Sequence, residues 1–431
     1  MISWLFANVN KEWLVIVQQP KVYSVSDHDI NPSSIDLDAL FVLNKLREAG
    51  FVAYLVGGSV RDLLLKRTPK DCDISTSARP EQIKQLFQRH CLLIGRRFRL
   101  AHIRFGHKIL EVSTFRSGEN ESDLIVQDNQ WGTPEEDALR RDFTINGLFY
   151  DPSTHSIIDY VGGWEDIHSN ILRTIGEPNM RFKQDPVRMM RLLKFRARFG
   201  FQIAPEAGRA LIQCRDQILK SSPSRVLEEI LRMLESGAAA PFFRLMLESG
   251  LLTLLYPNFA QFMQGPNGNE INLYLISADK VNAGLGKATL DRSILIACLL
   301  FPMVKQELQT KYLDQDRIPH IGEIIMATGS VVHHFDVGAF ACFPRRLTAI
   351  MSAIVVNQYR LVPLSGKKHH QRIMRNKDFL AAITFLKIRA IVDKGLIESY
   401  SSWKALYREH MHPGGHRGHH HASSQHHAAR K

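Results

Sequence analysis

VAYLVGGSVRDLLLKRTPKDCDIS, residues 52–75, decides the fold through the order of its parts. An apolar β-like run, Val52–Val56, ends on Gly57 and Gly58. A helical pattern, Val60–Lys66, follows at once, and a second β-like run opens on Asp71 and Asp73. A strand that turns on two glycines into a helix offers unpaired helix N-terminal N–H groups to a phosphate, and glycine lets that phosphate approach the backbone. Arg61 falls in the first turn, where a guanidinium adds a charge-assisted bond. On a strand, side chains alternate, so Asp71 and Asp73 share a face with Cys72 opposite. Two like charges held together repel unless a cation neutralises them. Oxygen ligands beside a phosphate suit magnesium, with manganese as the alternative, so Asp71 and Asp73 are the expected metal ligands.

Outward from this segment, Asp36–Ala49 has helical spacing (Leu37, Leu40, Leu43, Leu46) and closes at Gly50. Pro80–His90 also reads as helix, and Leu92–Ile94, Ala101–Phe105 and Ile109–Phe115 as strands, giving a mixed α/β layer that ends near residue 175. Two carboxylates compete to complete a catalytic set. Glu111 lies in an apolar strand pattern. Asp142 lies in Arg140-Arg141-Asp142-Phe143-Thr144-Ile145-Asn146, where Arg141 suits a triphosphate. From Arg181 onward, amphipathic stretches dominate: Pro186–Phe199, Pro205–Leu219, Arg225–Ser236 and Pro241–Ser249. In the first of these Asp185 is the expected N-cap, and Arg188 and Arg191 share a helix face.

The ordered set G-G-x-V-R-D, D-x-D, R-R-D-F-T-I-N and D-P-x-R-x-x-R resembles the class II branch of the polymerase-β-like nucleotidyltransferases, over roughly residues 36 to 260. That branch contains bacterial poly(A) polymerases and CCA-adding tRNA nucleotidyltransferases. The resemblance implies an α+β architecture: a mixed-sheet nucleotidyltransferase head followed by helical neck, body and tail. The corresponding expectation is an N-terminal extension (1–35), a head (36–175), a neck (176–240), a body (241–365) and a basic tail with a His-rich disordered end (366–431). It also implies metal at Asp71 and Asp73, nucleotide contacts at Gly57, Gly58, Arg61, Arg141 and Arg191, and base reading by Asp185 and Arg188. Gln184 and Lys194 depart from residues common in the family. Leu93–Ile103 is similar to the signature that marks poly(A) polymerases, and its Arg96, Arg97 and Arg99 are expected RNA contacts, as are Lys367, Lys368, Arg372 and Arg375 in the tail. Expected partners are ATP, RNA 3′ ends and RNA-degradation proteins. The alternatives are CCA addition and a catalytically dead RNA-binding protein.

Composition agrees with a nucleic-acid partner. The 431-residue chain carries a formal charge of +12, of which +9 falls from Gly366 onward. Five scattered cysteines contain no C-x-x-C pair, which excludes a disulfide framework or cysteine zinc site and fits a reducing, cytoplasmic setting. The first 20 residues lack a basic flank and a continuous apolar core, so no signal peptide is expected, and no run is apolar enough to span a membrane. The histidines near the end lack defined ligand spacing.

Overall fold

The computed structural model describes residues 19–95, 100–117, 130–286, 288–364 and 371–411. Their contacts divide into two compact units, one running through Ser222 with Glu248–Leu251 added, the other Pro223–Leu247 and Leu252 onward. The first unit therefore extends past residue 175 and holds the helix that carries Arg188.

In chain order the first unit contains β1 (Lys21–Tyr23), α1 (Leu37–Glu48), β2 (Ala53–Val56), α2 (Gly58–Leu64), β3 (Ile74–Thr76), α3 (Pro80–Phe87), β4 (Cys91–Ile94), β5 (Leu100–Phe105) and β6 (Lys108–Thr114). Then follow α4 (Pro134–Leu139), β7 (Leu148–Asp151), β8 (Ser156–Asp159), α5 (Gly163–His168), α6 (Pro178–Gln184), α7 (Val187–Phe199) and α8 (Pro205–Cys214). Eight strands form one mixed sheet in the order β1-β8-β7-β2-β3-β6-β5-β4. The β3–β6 pair is parallel and the rest are antiparallel. α1 starts where Asp36 accepts from the N–H groups of Asp38 and Ala39, and it buries Ala39, Val42, Leu43 and Leu46 as one stripe. Under the sheet centre, Val56, Phe115, Ala138 and Phe149 pack as a cluster.

Three expectations change. The supposed extension supplies an edge strand, with Lys21 opposite Asp159 and Tyr23 opposite Ile157. Three residues are too few to show alternation, and Val22 and Lys21 stay exposed. Second, β3 begins at Ile74, so Asp71 and Asp73 sit on the approach to the strand. The ladder nevertheless continues one bond further, since the Asp73 carbonyl accepts from Val56 N–H at 3.0 Å. Third, Pro186 rather than Asp185 holds the N-cap position of α7, and Asp185 is the residue that ends α6.

The second unit is helical: α9 (Pro223–Leu234), α10 (Ala239–Glu248, its last residue in the first unit), α11 (Leu251–Leu255, its first residue likewise), α12 (Pro257–Gln264), α13 (Gly268–Ala283), α14 (Arg292–Lys311), α15 (Ile321–Asp336), α16 (Arg345–Leu361), α17 (Phe379–Val392) and α18 (Ile397–Met411). No helix among the described residues is long and apolar enough to cross a membrane. Within the stretch read as a basic tail, α17 and part of α18 contribute to the core. Phe385 of α17 packs on Tyr274 and Phe301, Gln358 of α16 donates to the Ala382 carbonyl, and Trp403 of α18 donates to the Leu361 carbonyl. Net charge concealed this, because the basic residues of an amphipathic helix lie outside its buried stripe. The His-rich end lies outside the described residues.

Candidate active site

At the β2–α2 turn Gly57 adopts φ +68°, which favours glycine. A Cβ there would stand 2.7 Å from Arg141 Nη1, so any side chain would have to displace that guanidinium. Beside it opens a recess of about 180 Å³ lined by Val56, Asp73, Ile74, Leu100, Glu111, Ser113, Arg116, Arg140 and Arg141. The parallel register pairs Ile74 with Val112, which brings the preceding residues, Asp73 and Glu111, side by side. Burial in the recess, Glu111 and Asp71 push the Asp73 carboxyl up to about 6, against the opposing pull of Arg141 and Arg61. Asp73 keeps contact with solvent at the rim. Across β5–β6, His102 Nε2 stands 3.5 Å from Glu111 Oε1.

Arginines also line the recess. Asp137, fully buried on α4, accepts from Arg140 at 2.9 and 2.7 Å through Oδ1 and from Arg141 at 3.0 Å through Oδ2. Arg116 N–H donates to the same Oδ1. Burial alone would raise the Asp137 pKa, but Arg141 and Arg140 outweigh it and hold it below the usual carboxylate range. Sequence reading missed Asp137, although its spacing of three and four to the two arginines on a helix was the available signal. Thr133 and Glu136 start that helix with a reciprocal capping box. Asp137→Asn is expected to cost about 3–5 kcal/mol, because it leaves two guanidiniums without their buried counter-charge. The contribution is present above the unfolded pKa near 3.9 and is lost as pH falls through the lower folded value. Thermal melts of the variant at neutral and acid pH check this: equal melts for variant and parent at neutral pH would remove Asp137 from the argument.

Asp142 lies elsewhere. Its Oδ1 accepts from Phe143 N–H and Asn146 Nδ2, both at 2.9 Å, and its Oδ2 pairs with Arg191 at 2.9 Å. Burial would raise its pKa, but Arg191, Asn146 and Arg188 outweigh that and lower it. Asn146, also missed, accepts from Arg61 Nη1 at 2.6 Å. Arg61 is buried, its Nε and Nη2 on Asp62, so its guanidinium braces the turn from within. The carbonyls that end α4 are capped by arginines: Arg181 donates to Leu139 and Arg141, and Arg188 to Arg140 at 3.2 Å. The structure thus gathers Asp73, Glu111 and Arg141 at the recess and buries Asp185 and Arg188 behind its arginine wall. Arg96, Arg97, Arg99, Lys367 and Lys368 lie outside the described residues, as does the side chain of Arg372; Arg375 is exposed at the end of a short 3-10 turn.

Among the described residues no three His, Cys, Asp or Glu side chains stand close enough to close a metal cage by themselves. Neighbouring carboxylates whose repulsion at Asp73, together with burial, outweighs the pull of Arg141 and Arg61 still fit a hard divalent cation that keeps water or phosphate oxygens as its other ligands.

Comparison with known proteins gives three matched regions. Residues 53–173 match the family described as "Poly A polymerase head domain", 200–263 "Probable RNA and SrmB- binding site of polymerase A", and 326–431 "Polymerase A arginine-rich C-terminus". The chain is 33% identical to poly(A) polymerase I of Salmonella typhi, over 88% of this chain and 84% of that one. It is 36% identical to the CCA-adding enzyme of Lactobacillus helveticus, over 50% of this chain and 54% of the relative. Its fold resembles the crystal structure of the Bacillus stearothermophilus CCA-adding enzyme in complex with CTP, with TM-score 0.59, 24% identity, and coverage of 86% of this chain and 82% of that one.

Proposed function

We propose, from the premise that this chain belongs to the poly(A) polymerase family of template-independent nucleotidyltransferases, that it adds adenylate from ATP to RNA 3′ ends. The carrying observation is the charge that lines the recess, where Asp73 and Glu111 share one small volume with Arg116, Arg140 and Arg141. A triphosphate bound there meets guanidiniums along its anionic tail and carboxylates at the reacting phosphorus. Asp71 and Asp73 would hold magnesium, with Glu111 beside Asp73, and the ion when bound would lower the pKa of the attacking hydroxyl and stabilise the leaving oxygen. Asp137 keeps Arg140 and Arg141 aimed, and the glycine turn leaves the backbone N–H groups of α2 open to phosphate. Asp185 and Arg188, ordered against the end of α4, read the base. Attack of the RNA 3′-hydroxyl on the α-phosphate then releases pyrophosphate.

CCA addition is the second reading, favoured by the fold likeness and by similarity over half of the chain. Likeness to poly(A) polymerases runs through nearly the whole chain, second unit included, and this supports adenylate tailing. Generic RNA with ATP alone is expected to receive long, heterogeneous A-tails, and a tRNA trimmed of its CCA to take up little cytidylate from mixed ATP and CTP. Sizing the products on a denaturing gel decides it. Two cytidylates and one adenylate on the tRNA, with no tail on other RNAs, would establish CCA addition instead.

A further inference from the structure

Three guanidiniums converge on one ring where the chain leaving α2 meets the end of α7. The guanidinium carbons of Arg61, Arg67 and Arg198 stand 4.7, 4.9 and 5.1 Å from the centroid of Phe199. No two are therefore more than about 10 Å apart, close to the Debye length at physiological salt, so they repel. Asp62 neutralises Arg61 at 2.7 Å, and neighbouring Lys66 is paired with Asp29 at 2.9 Å. The guanidiniums of Arg67 and Arg198 have no hydrogen-bond or ion-pair partner among the described residues. Arg67 is exposed, and Arg198 and Phe199 are half-buried. Burial and the neighbouring guanidiniums draw Arg198 below the usual arginine range.

Helix C-termini attract cations, and Arg198 lies in the last turn of α7. That attraction is insufficient here. Three guanidiniums less Asp62, less about half a charge for each of the two helix ends, still leave a net positive charge of about one. The cluster is a partly desolvated cationic site with aromatic support, the setting in which a guanidinium fork binds phosphate most strongly.

We propose that Arg67 and Arg198, braced on Phe199, bind a phosphodiester of the RNA strand being extended. The inference rests on the RNA-extending reading above. Neither arginine lines the recess, and α2, roughly 10 Å long at 1.5 Å per residue, separates the Gly57 turn from Arg67. The phosphate held is therefore a few nucleotides upstream of the 3′ end, and does not belong to the reacting ATP.

The test measures binding of a labelled single-stranded RNA oligonucleotide and of ATP to the full chain across a salt series. The variants are Arg67→Gln/Arg198→Gln and Arg67→Lys/Arg198→Lys. The Gln pair is expected to weaken RNA binding about 10–25-fold near 0.1 M salt and to flatten the log–log salt slope by about 1.4, the share of two contacts. ATP affinity and the rate at saturating RNA stay unchanged, and the Lys pair keeps the slope. An unchanged RNA slope in the Gln pair overturns the proposal. So does an equal loss of ATP affinity, which would make this a triphosphate site, or an equal loss in the Lys pair, which would mean the arginines only pack. If the parent binds RNA through these arginines but adds no nucleotide to it, the site stands and the activity reading falls.

Discussion

Asp73→Ala is expected to lower nucleotide addition by about a thousandfold or more while the protein melts at an unchanged or slightly higher temperature. The two effects come from one arrangement. Asp73 sits beside Glu111 by register and is pushed up to about 6 by burial, Glu111 and Asp71. Removing it relieves repulsion in the free protein and so does not destabilise the fold. It also removes a ligand from the cation that neutralises the reacting phosphate, an interaction worth several kcal/mol in the transition state. At 1.36 kcal/mol per tenfold in rate, that is about three orders of magnitude. Glu111→Gln should show the same pattern, a large loss of rate with the melt preserved. Asp142→Asn should show the reverse emphasis, because Asp142 holds Asn146, Arg191 and the Phe143 N–H and lines no part of the recess. Its melt should fall. Initial rates with magnesium and a thermal melt for all three variants check this, and near-normal rates in Asp73→Ala would end the assignment.

The asymmetry between Glu111 and Asp142 explains what the sequence could disclose. The Gly57–Gly58 turn, α2 and Asp73 were legible because they are contiguous, and strand and helix periods act over a few residues. Which distant carboxylate joins Asp73 depends on a parallel pairing between β3 and β6, a non-local fact that neither strand carries alone. Arg61 shows the same limit. Its place in a first turn suggested a phosphate contact, yet its direction is set by the adjacent Asp62 together with Asn146 and the rings of Phe195 and Phe199, which come from two distant places in the chain. Asp137 was readable in principle from its spacing to Arg140 and Arg141. It does not stand out in the sequence, because an acid in the first turn of a capped helix has an adequate local explanation.

A chain ending at residue 365 is expected to lose its cooperative melt or to aggregate, whereas one ending at 411 keeps the parent's melt. Charge alone suggests a simpler outcome: removing +9 of the +12 charge weakens RNA binding and leaves the rest intact. The packing of α17 opposes this. Phe379, Phe385, Leu386 and Ile388 are each no more than 1% exposed. At about 1.5–3 kcal/mol per buried side chain these four contribute roughly 6–12 kcal/mol, comparable to the whole stability of a domain at about 5–15 kcal/mol. Their loss also uncovers Tyr274, which stacks on Phe385, Phe301, which meets it edge-on, and Leu361, which packs in the cluster of Phe379 and Trp403. Any loss of RNA binding in the shorter chain would then report unfolding of the second unit. The informative truncation begins at 412 and removes only Arg417, Arg430 and Lys431 among fixed charges. If all three contact phosphates it should flatten the RNA salt slope by at most about 2. Calorimetry and gel filtration of the two truncations decide between the pictures. A 365-residue chain that stays monomeric with the parent's melt would show that α17 and α18 are a separable tail.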